Sequence, residues 1–565
     1  MPVGRFLLCL HSHMPYVLSH GKSPHGTDWI NESAAECYLP LLHALDRLYS
    51  EGIKARWTVN ITPILSEQLT DPSFKDGFEH YCQEKIDASI ADAARFEREG
   101  PLWMQGLAGF WQRFYTRGLV QFKHQWNRSI LDGFKYFQDQ GCIEIITSGA
   151  THGYQPLLGT DESCRAQIKL GVQNYEKHFG KKPRGIWLPE CAYRPRYDWK
   201  SPVEENSIPW SRMGTDEILK QEGLDYFFVD SHMIRGGQPL GTYAANFPQL
   251  AELFARSSKY FSPPSEFRSE YEHYLLPSGM TVFARDPETT VKVWSGDSGY
   301  PGEEHYLEFH KQLYPSRLRY WRISQNKADL GQKQPYDPWE AFEKIQAHAA
   351  DMVDTLKGTL ARYRGLADRE GTLVSMYDTE LFGHWWWEGP EFLYELTRAL
   401  HKDADIEMVT GSEMLDREPA KHLIHLPEGS WGEGGYHYIW INDGNYWTWQ
   451  KLYPIERRLR QMARDYAGGP AHEIVLQAAR ELLLAESSDW QFLISTFSAK
   501  DYAEVRFNDH VTRFEQLAEI ADRVHTGSAI KPEEQAFLEE CQQKDAPFPE
   551  VDLSLWAAQP HAAVK

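Results

Sequence analysis

The sequence lacks any long apolar run, which excludes a membrane-spanning helix from the expected fold. No segment approaches the roughly 18 consecutive apolar residues of a membrane span, although 42% of the 565 residues are hydrophobic. At the N-terminus a single Arg5 precedes the short apolar run 6–10, which is too brief for a signal peptide. We therefore expect an ordinary globular protein without a membrane partner.

Cysteine pairs are also missing. The seven cysteines are odd in number, widely scattered, and form no Cys-x-x-Cys motif. This pattern is typical of reduced thiols and argues against both a disulfide framework and a zinc knuckle. On this ground we predict a cytoplasmic protein.

Positive charge is scarce, since 59 Lys and Arg stand against 80 Asp and Glu and the formal net charge is −21. No basic surface offsets phosphate repulsion, so we expect neither nucleic acid nor anionic membrane as a partner. A neutral substrate is the natural inference. The length fits a large barrel with added modules, and the sequence leaves open a monomer or a small homo-oligomer.

Short apolar or β-branched runs recur, and each leads towards a polar residue. The runs are 6–10, 55–59, 144–148, 185–189, 226–229, 280–284 and 371–377, followed by His11, Asn60, His152, Glu190, Asp230, Arg285 and Asp378, with 408–410 as a weaker last run. Helical patterns such as 36–49, 163–178 and 215–222 separate many of them. This alternation predicts a parallel α/β barrel with its active site at the C-terminal face.

A doubly wound open sheet would alternate similarly, but it usually carries a Gly-rich first turn, which is missing here. The pattern does not distinguish seven strands from eight. We predict a catalytic barrel from residues 1–65 and 143–415 and a helical insertion subdomain at 66–142. A C-terminal helical domain at 416–565 would close over the active site, with 527–565 as a less ordered tail.

The segment SMYDTELFGHWWWEGPEFL, residues 375–393, combines a carboxylate at a predicted strand end with three consecutive tryptophans. Flat aromatic faces suit the apolar faces of pyranose rings. An indole beside Asp378 would also disfavour the ionised carboxylate by desolvation, as a general acid requires. The alternative is a Trp-rich core segment with charges at its edge.

A second carboxylate, Glu190, follows another strand within WLPECAYRP, residues 187–195. Two carboxylates that face each other about 5 Å apart across an aromatic cleft are the apparatus of retaining glycosyl transfer. The alternative is an ordinary rim carboxylate that pairs with a nearby arginine, and the candidates are Arg184, Arg194 and Arg196.

His11 and His13 flank a small residue and point to the same side of an extended strand. His-x-His is a frequent metal half-site and equally a common lining of polar pockets. Because no third ligand stands at a familiar spacing, both interpretations stay open.

Five stretches resemble, in order, the signature regions of glycoside hydrolase family 57. They are HSHMPY (11–16), GATHGYQPLL (149–158), WLPECAYRP (187–195), YDTELFGHWWWEG (377–389) and GSWGEGGYHYIWIND (429–443). Within the family they look most like the 1,4-α-glucan branching enzymes. The resemblance implies a (β/α)7 TIM-like barrel with a helical insertion and an all-helical C-terminal domain. It also implies retention of configuration without a metal or an organic cofactor.

Carried over by motif, the resemblance makes Glu190 the nucleophile and Asp378 the general acid/base. The implied substrate-binding residues are His11, His13, His152, Asp230, His232, Tyr243, Arg285, Trp294, Gly302, Trp431, Trp440 and Asp489, to which the tryptophan run adds Trp385. Tyr243 would stand at the tip of a loop, 235–248, that excludes water from the covalent intermediate. One departure is Ser498, which stands where a glutamine contact is expected.

We therefore expect a branching enzyme that acts on α-glucan. The first alternative is an α-amylase or a 4-α-glucanotransferase of the same family. Others are a metal-dependent hydrolase or deacetylase built on His11, His13 and His152, and a glucan-binding protein whose catalysis has decayed.

Overall fold

The computed structural model describes residues 2–237, 239, 265, 267–325 and 328–557, and its centre is a barrel of parallel strands. The barrel strands are β1 (Gly4–Ser12), β2 (Trp57–Ile61), β3 (Ile143–Ile146), β4 (Gly185–Ile186), β5 (Tyr226–Asp230), β6 (Thr281–Arg285) and β7 (Gly371–Asp378). Among the described residues the ring has seven strands, which settles the count that the sequence left open.

Hydrogen bonds close the ring at every neighbour. The order β7-β1-β2-β3 is continuous and parallel, as is β4-β5-β6. Thr147 joins β3 to β4 through a parallel bridge with Ile186, and the Asp286 amide donates to the Val374 carbonyl at 2.8 Å between β6 and β7. The weak eighth run forms a strand at Ile406–Met408, which pairs only with the first residues of β1.

Side chains of the strands alternate between the barrel interior and the helical layer. Leu7 and Cys9 of β1 belong to one buried cluster with Phe228 of β5 and Met376 of β7. Their neighbours Phe6, Leu8 and Leu10 belong to the other cluster, which includes the surrounding helices. Both faces are therefore apolar, which explains why the strands read as continuous apolar runs.

Helices surround the barrel and extend beyond it. Those between barrel strands are Thr27–Ser33, Leu39–Ser50, Pro63–Thr70, Pro72–Glu99, Leu102–Val120, Ile130–Asp139, Asp161–Phe179, Thr215–Gln221, Ser231–Arg235, Pro287–Trp294 and Pro338–Ala367. After β7 come Gly389–Lys402, Gly411–Arg417, Tyr446–Tyr466, His472–Ala485, Asp489–Thr496, Lys500–His525, Pro532–Lys544 and Ser554–Ala557. Two short antiparallel strands, Tyr197–Trp199 and Trp210–Arg212, pair outside the barrel.

The prediction of a less ordered tail from residue 527 is wrong for its described part. Helix Pro532–Lys544 packs through Leu538 and Cys541, and Trp556 in the last described helix is fully buried. These apolar residues are too sparse for a helical pattern to be seen in the sequence. The predicted division of the chain at residues 65, 142 and 415 stays a prediction. Within the described ranges, we find no helix whose length and apolar character would let it cross a membrane.

Gly383 lies in the segment after β7 and allows it to contact the turn Ala34–Tyr38. Its φ is +115°, and an added Cβ would lie 1.7 Å from the carbonyl oxygen of Glu36. We expect Gly383→Ala to lower the apparent unfolding temperature, because the backbone conformation alone costs a side chain about 1–3 kcal/mol. The control is Gly77→Ala in helix Pro72–Glu99, where the added Cβ meets nothing within 4 Å. This substitution should stabilise the folded protein by about 0.5–1 kcal/mol. Equal melting curves for the two variants would contradict the prediction.

Candidate active site

The C-terminal ends of the strands converge on a cavity of about 140 Å³ that contains both predicted carboxylates. We call it the carboxylate cavity. Its lining residues are His11, His13, His152, Glu190, Asp378, Glu380, Trp431, Gly432, Ile439, Trp440, Asp489 and Phe492. Residues from β1, from β7 and from the turns after β3 and β4 meet residues from the C-terminal third of the chain here, at the face where barrel active sites lie.

Glu190 occupies a strained turn, Pro189–Cys191, with φ +60° in the left-handed region. Such a conformation persists only when its surroundings hold it. The Trp431 amide donates to the Glu190 carbonyl at 3.1 Å, and Tyr193 and Gly429 exchange two backbone hydrogen bonds of 2.9 and 3.1 Å. A C-terminal segment thus holds the turn that carries this carboxylate.

The Glu190 carboxylate accepts two hydrogen bonds from C-terminal side chains. Trp431 Nε1 donates to Oε2 at 2.8 Å, and Ser488 Oγ donates to Oε1 at 3.2 Å. Burial raises the pKa of Glu190 to about 7, against the lowering effect of the Trp431 donor, His13 and Ser488.

Asp378 ends β7 directly beside His11, its register partner on β1. Burial first, and then the negative charges of Glu380 and Glu190, raise the pKa of Asp378 well above its ordinary value. Its buried Oδ1 has no hydrogen-bond partner among the described residues. Of the two carboxyl groups, Glu190 has the hydrogen-bond donors, and these favour its ionised form over that of Asp378.

Two histidines of the cavity are neutral, and in each the nitrogen Nε2 is an acceptor. The Asn60 amide donates to the carbonyls of Ile146 and Thr147 at 3.1 and 2.6 Å, so its oxygen accepts from His11 Nδ1 at 2.6 Å. His152 Nδ1 donates to Ser488 Oγ at 2.9 Å, since that hydroxyl donates onward to Glu190. Burial holds the pKa of both imidazoles well below the ordinary value, so each Nε2 is an acceptor.

His13 differs from these two because it is paired with a carboxylate. His13 Nε2 lies 2.9 Å from Asp489 Oδ2. Burial alone would lower the pKa of His13, but Asp489 raises it above the ordinary value, and the pKa of Asp489 is lowered in turn. Each group therefore favours the charged form of the other, an imidazolium beside a carboxylate.

A possible metal set includes Asp489 and omits His11, unlike the set expected from the sequence. His13, His152 and Asp489 each offer a ligand atom within 4.8 Å of the others. Asp489 favours the protonated form of His13, and this form competes with a cation because an imidazolium has no free lone pair.

Asp230 and Arg285 form a buried ion pair next to this cavity. Arg285 Nη2 lies 2.7 Å from Asp230 Oδ2, and its guanidinium lies 5.3 Å from the centre of the Trp431 ring. Burial would raise the pKa of Asp230, but Arg285 holds it below its ordinary value. His232 lies 3.7 Å from Asp230 and contacts the Gly435 carbonyl at 3.1 Å.

The remaining predicted residues lie at different depths. Trp294 packs at right angles to Trp431, with ring centres 5.8 Å apart. Trp440 lines the cavity but is only 1% exposed and stacks on Tyr154, whereas Trp385 is 55% exposed and stacks on Phe309. Gly302 ends the turn Tyr300–Gly302 and does not line the carboxylate cavity. Tyr243 lies outside the described residues.

The proposed ion pair between Glu190 and a nearby arginine is wrong. Arg184 pairs with Asp225 and Asp416, Arg196 pairs with Glu217, and Arg194 lies 3.9 Å from Asp161. The expected glutamine position, Ser498, instead shares a hydroxyl contact of 2.8 Å with Thr496.

Sequence reasoning missed three neighbours of the carboxylates. Ser488 connects His152 to Glu190. Buried Glu380 accepts from Tyr38 at 2.6 Å and from the His13 amide at 3.3 Å. At Gly432 an added Cβ would lie 2.5 Å from the Trp440 ring, so this ring can pack here only against a glycine. Glu380 could have been found from its place in the YDTEL stretch, whereas Ser488 carries no local signal.

Family models match nearly the whole chain. One described as glycosyl hydrolase family 57 matches residues 7–427. Another, described as 1,4-alpha-glucan branching enzyme, C-terminal, matches residues 451–556.

Individual relatives are similar over nearly the whole of this chain. A 1,4-alpha-glucan branching enzyme of Thermococcus kodakarensis is 39% identical over 551 residues, covering 96% of this chain and 77% of that protein. The crystal structure of a GH57-type branching enzyme from Pyrococcus horikoshii has a TM-score of 0.89 at 36% identity, covering 100% of this chain and 98% of that one. The alpha-amylase AmyC from Thermotoga maritima has a TM-score of 0.81 at 31% identity, covering 99% and 100%.

The pair of His13 and Asp489 predicts a pH-dependent stability. The folded-state pKa of His13 lies above 6.5, so its contribution is complete below pH 6.5 and is lost as the pH rises through the folded value. The pKa of Asp489 lies below 3.8, so its contribution is lost only as the pH falls below that. Asp489→Asn should therefore cost about 1.5–3 kcal/mol at pH 6 and clearly less at pH 9.

Calorimetric unfolding at both pH values measures this difference. Asp501→Asn, an equal change of charge on the exposed start of helix Lys500–His525, is the control and should change stability little at either pH. If Asp489→Asn lowers the free energy of unfolding equally at pH 6 and pH 9, Asp489 does not stabilise a protonated His13.

Proposed function

Because the chain belongs to glycosyl hydrolase family 57, we propose that it is a 1,4-α-glucan branching enzyme. It cleaves an α-1,4 link of a glucan and transfers the released chain to a 6-hydroxyl, with retention of configuration. The observation that carries the proposal is a likeness to branching enzymes that continues from the barrel into residues 451–556. Two carboxyl groups of unequal acidity in one cavity supply the chemistry.

In the first step Glu190 is the nucleophile. Its carboxylate attacks C1 of a glucosyl unit while the bond from C1 to the glycosidic oxygen breaks, which forms a glycosyl ester. Asp378 gives its proton to the leaving oxygen. The raised pKa of Asp378 and the two donors to Glu190 support this division of roles.

In the second step Asp378 acts as the general base. The carboxylate takes the proton of an acceptor 6-hydroxyl, whose oxygen attacks C1 and releases Glu190 as a carboxylate. The new α-1,6 link restores the original configuration because C1 has been inverted twice. Each Glu190 oxygen returns to its donor, Trp431 or Ser488.

The other side chains hold the glucan. Nε2 of His11 and of His152 accepts hydrogen bonds from sugar hydroxyls. His13 is a further proposed glucan contact because it lines the cavity, although its two ring nitrogens already contact Thr62 and Asp489. Further glucan contacts are proposed for Asp230, His232, Arg285, Trp294, Gly302, Trp385, Trp431, Trp440 and Asp489. We also propose that the loop with Tyr243 excludes water, and its Gly-rich sequence with one aromatic residue supports this role.

A cytoplasmic location and the predicted domain boundaries belong to the same proposal. All seven cysteines are free and buried, which supports a reducing compartment. The partner is a neutral α-glucan, in agreement with the acidic composition.

Incubation with amylose tests the assignment and the nucleophile together. We expect new α-1,6 branches with few new reducing ends, measured by debranching with chain-length analysis and by a reducing-end assay. Glu190→Gln should reduce both by about 10⁴-fold, because an amide cannot form the ester. The control is Glu205→Gln at an exposed position, which should keep full activity.

The outcomes separate the candidates. Reducing ends without branches would support an α-amylase, the activity named for the similar Thermotoga structure, and would contradict branching. Branching that survives Glu190→Gln would contradict the role of Glu190.

A metal-dependent hydrolase or deacetylase is a second candidate, favoured by the cluster of His13, His152 and Asp489. The proposed mechanism needs no metal ion, so dialysis against EDTA should leave the rate of branch formation unchanged. Elemental analysis before and after dialysis provides the control. A lost activity that returns with Zn²⁺ would contradict the mechanism proposed for Glu190 and Asp378.

A further inference from the structure

A second and larger cavity lies away from the carboxylate cavity and shares none of its lining residues. We call it the outer cavity. It opens between helices Leu39–Ser50, Leu102–Val120 and Pro338–Ala367, beside Trp387 and Glu388. Its volume is about 620 Å³, within the range of about 300–1,000 Å³ typical of small-ligand sites. The proposed mechanism does not use it.

Four half-buried aromatic rings line the outer cavity: Phe110, Phe114, Phe342 and Trp387. Trp387 packs edge-to-face against Phe114 and Phe110, with ring centres 4.5 and 6.1 Å apart. The packing holds the rings in place without burying them fully, so an occupant meets a rigid apolar wall. Such a wall matches the apolar faces of sugar rings.

Glu388 adds a polar group to this wall. The residue is 3% exposed, and its Oε1 accepts from Tyr336 at 2.8 Å and from the Leu307 amide at 3.0 Å. Its buried Oε2 has no hydrogen-bond partner among the described residues. Because a buried carboxyl oxygen rarely stays unpaired in native structures, Oε2 is a candidate contact for an occupant of the outer cavity. Burial raises the pKa of Glu388 to about 7, so the carboxyl group can accept or donate.

Several of the charged residues that line the outer cavity already have partners. Three arginines, Arg47, Arg113 and Arg117, stand against three glutamates, Glu36, Glu388 and Glu391. Arg47 already forms two hydrogen bonds to Glu391, at 2.5 and 2.9 Å, and Glu36 pairs with Arg319 at 2.8 Å. Burial and the neighbouring Arg117 and Arg47 lower the pKa of His43 to about 4, so it is neutral. These pairs leave Arg113 and Arg117 beside Glu388. The lining can therefore bond to sugar hydroxyls through Arg113 and Glu388, and the calorimetric test below separates a sugar from a phosphate.

We propose that the outer cavity is a second binding site for an α-1,4-glucan chain. Aromatic rings bind the faces of the glucosyl units, and Glu388 and Arg113 bind their hydroxyls. The choice of α-glucan among neutral sugars rests on the proposed function. The segment that begins with Asp378 ends with Trp387 and Glu388, so the two cavities adjoin the same loop. A chain held there raises the effective concentration of its other end at the carboxylates.

The test uses Arg113→Ala combined with Phe342→Ala in the full chain. In a Glu190→Gln background, which prevents turnover, migration through native gels containing amylopectin measures binding. We expect the double variant to bind at least about tenfold more weakly than its parent. The matched control, Arg98→Ala with Tyr314→Ala, removes an exposed arginine and an exposed aromatic residue that do not line the cavity.

Kinetics give a second readout with intact Glu190. The double variant should keep kcat on amylopectin and raise the half-saturating concentration, because the chemistry is unchanged. Arg113→Ala alone, an exposed substitution that does not threaten folding, should give a smaller shift in the same direction.

Two results would overturn the proposal. One is that amylopectin in the native gel retards the double variant and its control equally, whether or not the enzyme forms branches. The other is a calorimetric signal for glucose 1-phosphate, but none for maltoheptaose, that disappears in the double variant. Failure of the enzyme to form branches would instead contradict the proposed function, and gel binding would still decide the outer cavity.

Discussion

Two carboxyl groups share one small and largely buried cavity, and this electrostatic constraint governs the rest of the site. Both cannot be charged at once without a large cost. The balance is decided by two donors, Trp431 Nε1 and Ser488 Oγ, which contact Glu190. At Asp378 the charges of Glu380 and Glu190 raise the pKa further, and Arg285 lowers it. Burial makes both groups weak acids, and hydrogen bonding makes them unequal.

The surrounding framework preserves that inequality. The strained backbone at Glu190 is held by hydrogen bonds from segment 429–431. The Asn60 amide and the Ser488 hydroxyl orient His11 and His152, so that both present acceptors to the cavity. Each of these hydrogen bonds fixes both the orientation and the position of a side chain or backbone segment. A site that must not reorganise during the reaction requires this.

Much of the fold and part of the site could be predicted from the sequence, for physical reasons. Strands buried on both faces are continuous apolar runs, and in a barrel their ends meet, so Glu190 and Asp378 could be assigned to one face before any coordinates were known. Ser488 could not be found in this way, because its contact with Glu190 joins positions 298 residues apart. The outer cavity was hidden for the same reason, since three helices and a loop build it together.

The donors to Glu190 lie beyond the last barrel strand, in the segment and helices that follow. The barrel is therefore not a self-contained catalytic unit, although it carries both carboxylates. Recombination that joined this barrel to the C-terminal helices of a distant relative would have to preserve an indole and a hydroxyl at matching positions. Otherwise Glu190 would lose the two hydrogen bonds that favour its carboxylate form. The acidity of Glu190 thus depends on two parts of the chain that are far apart in sequence.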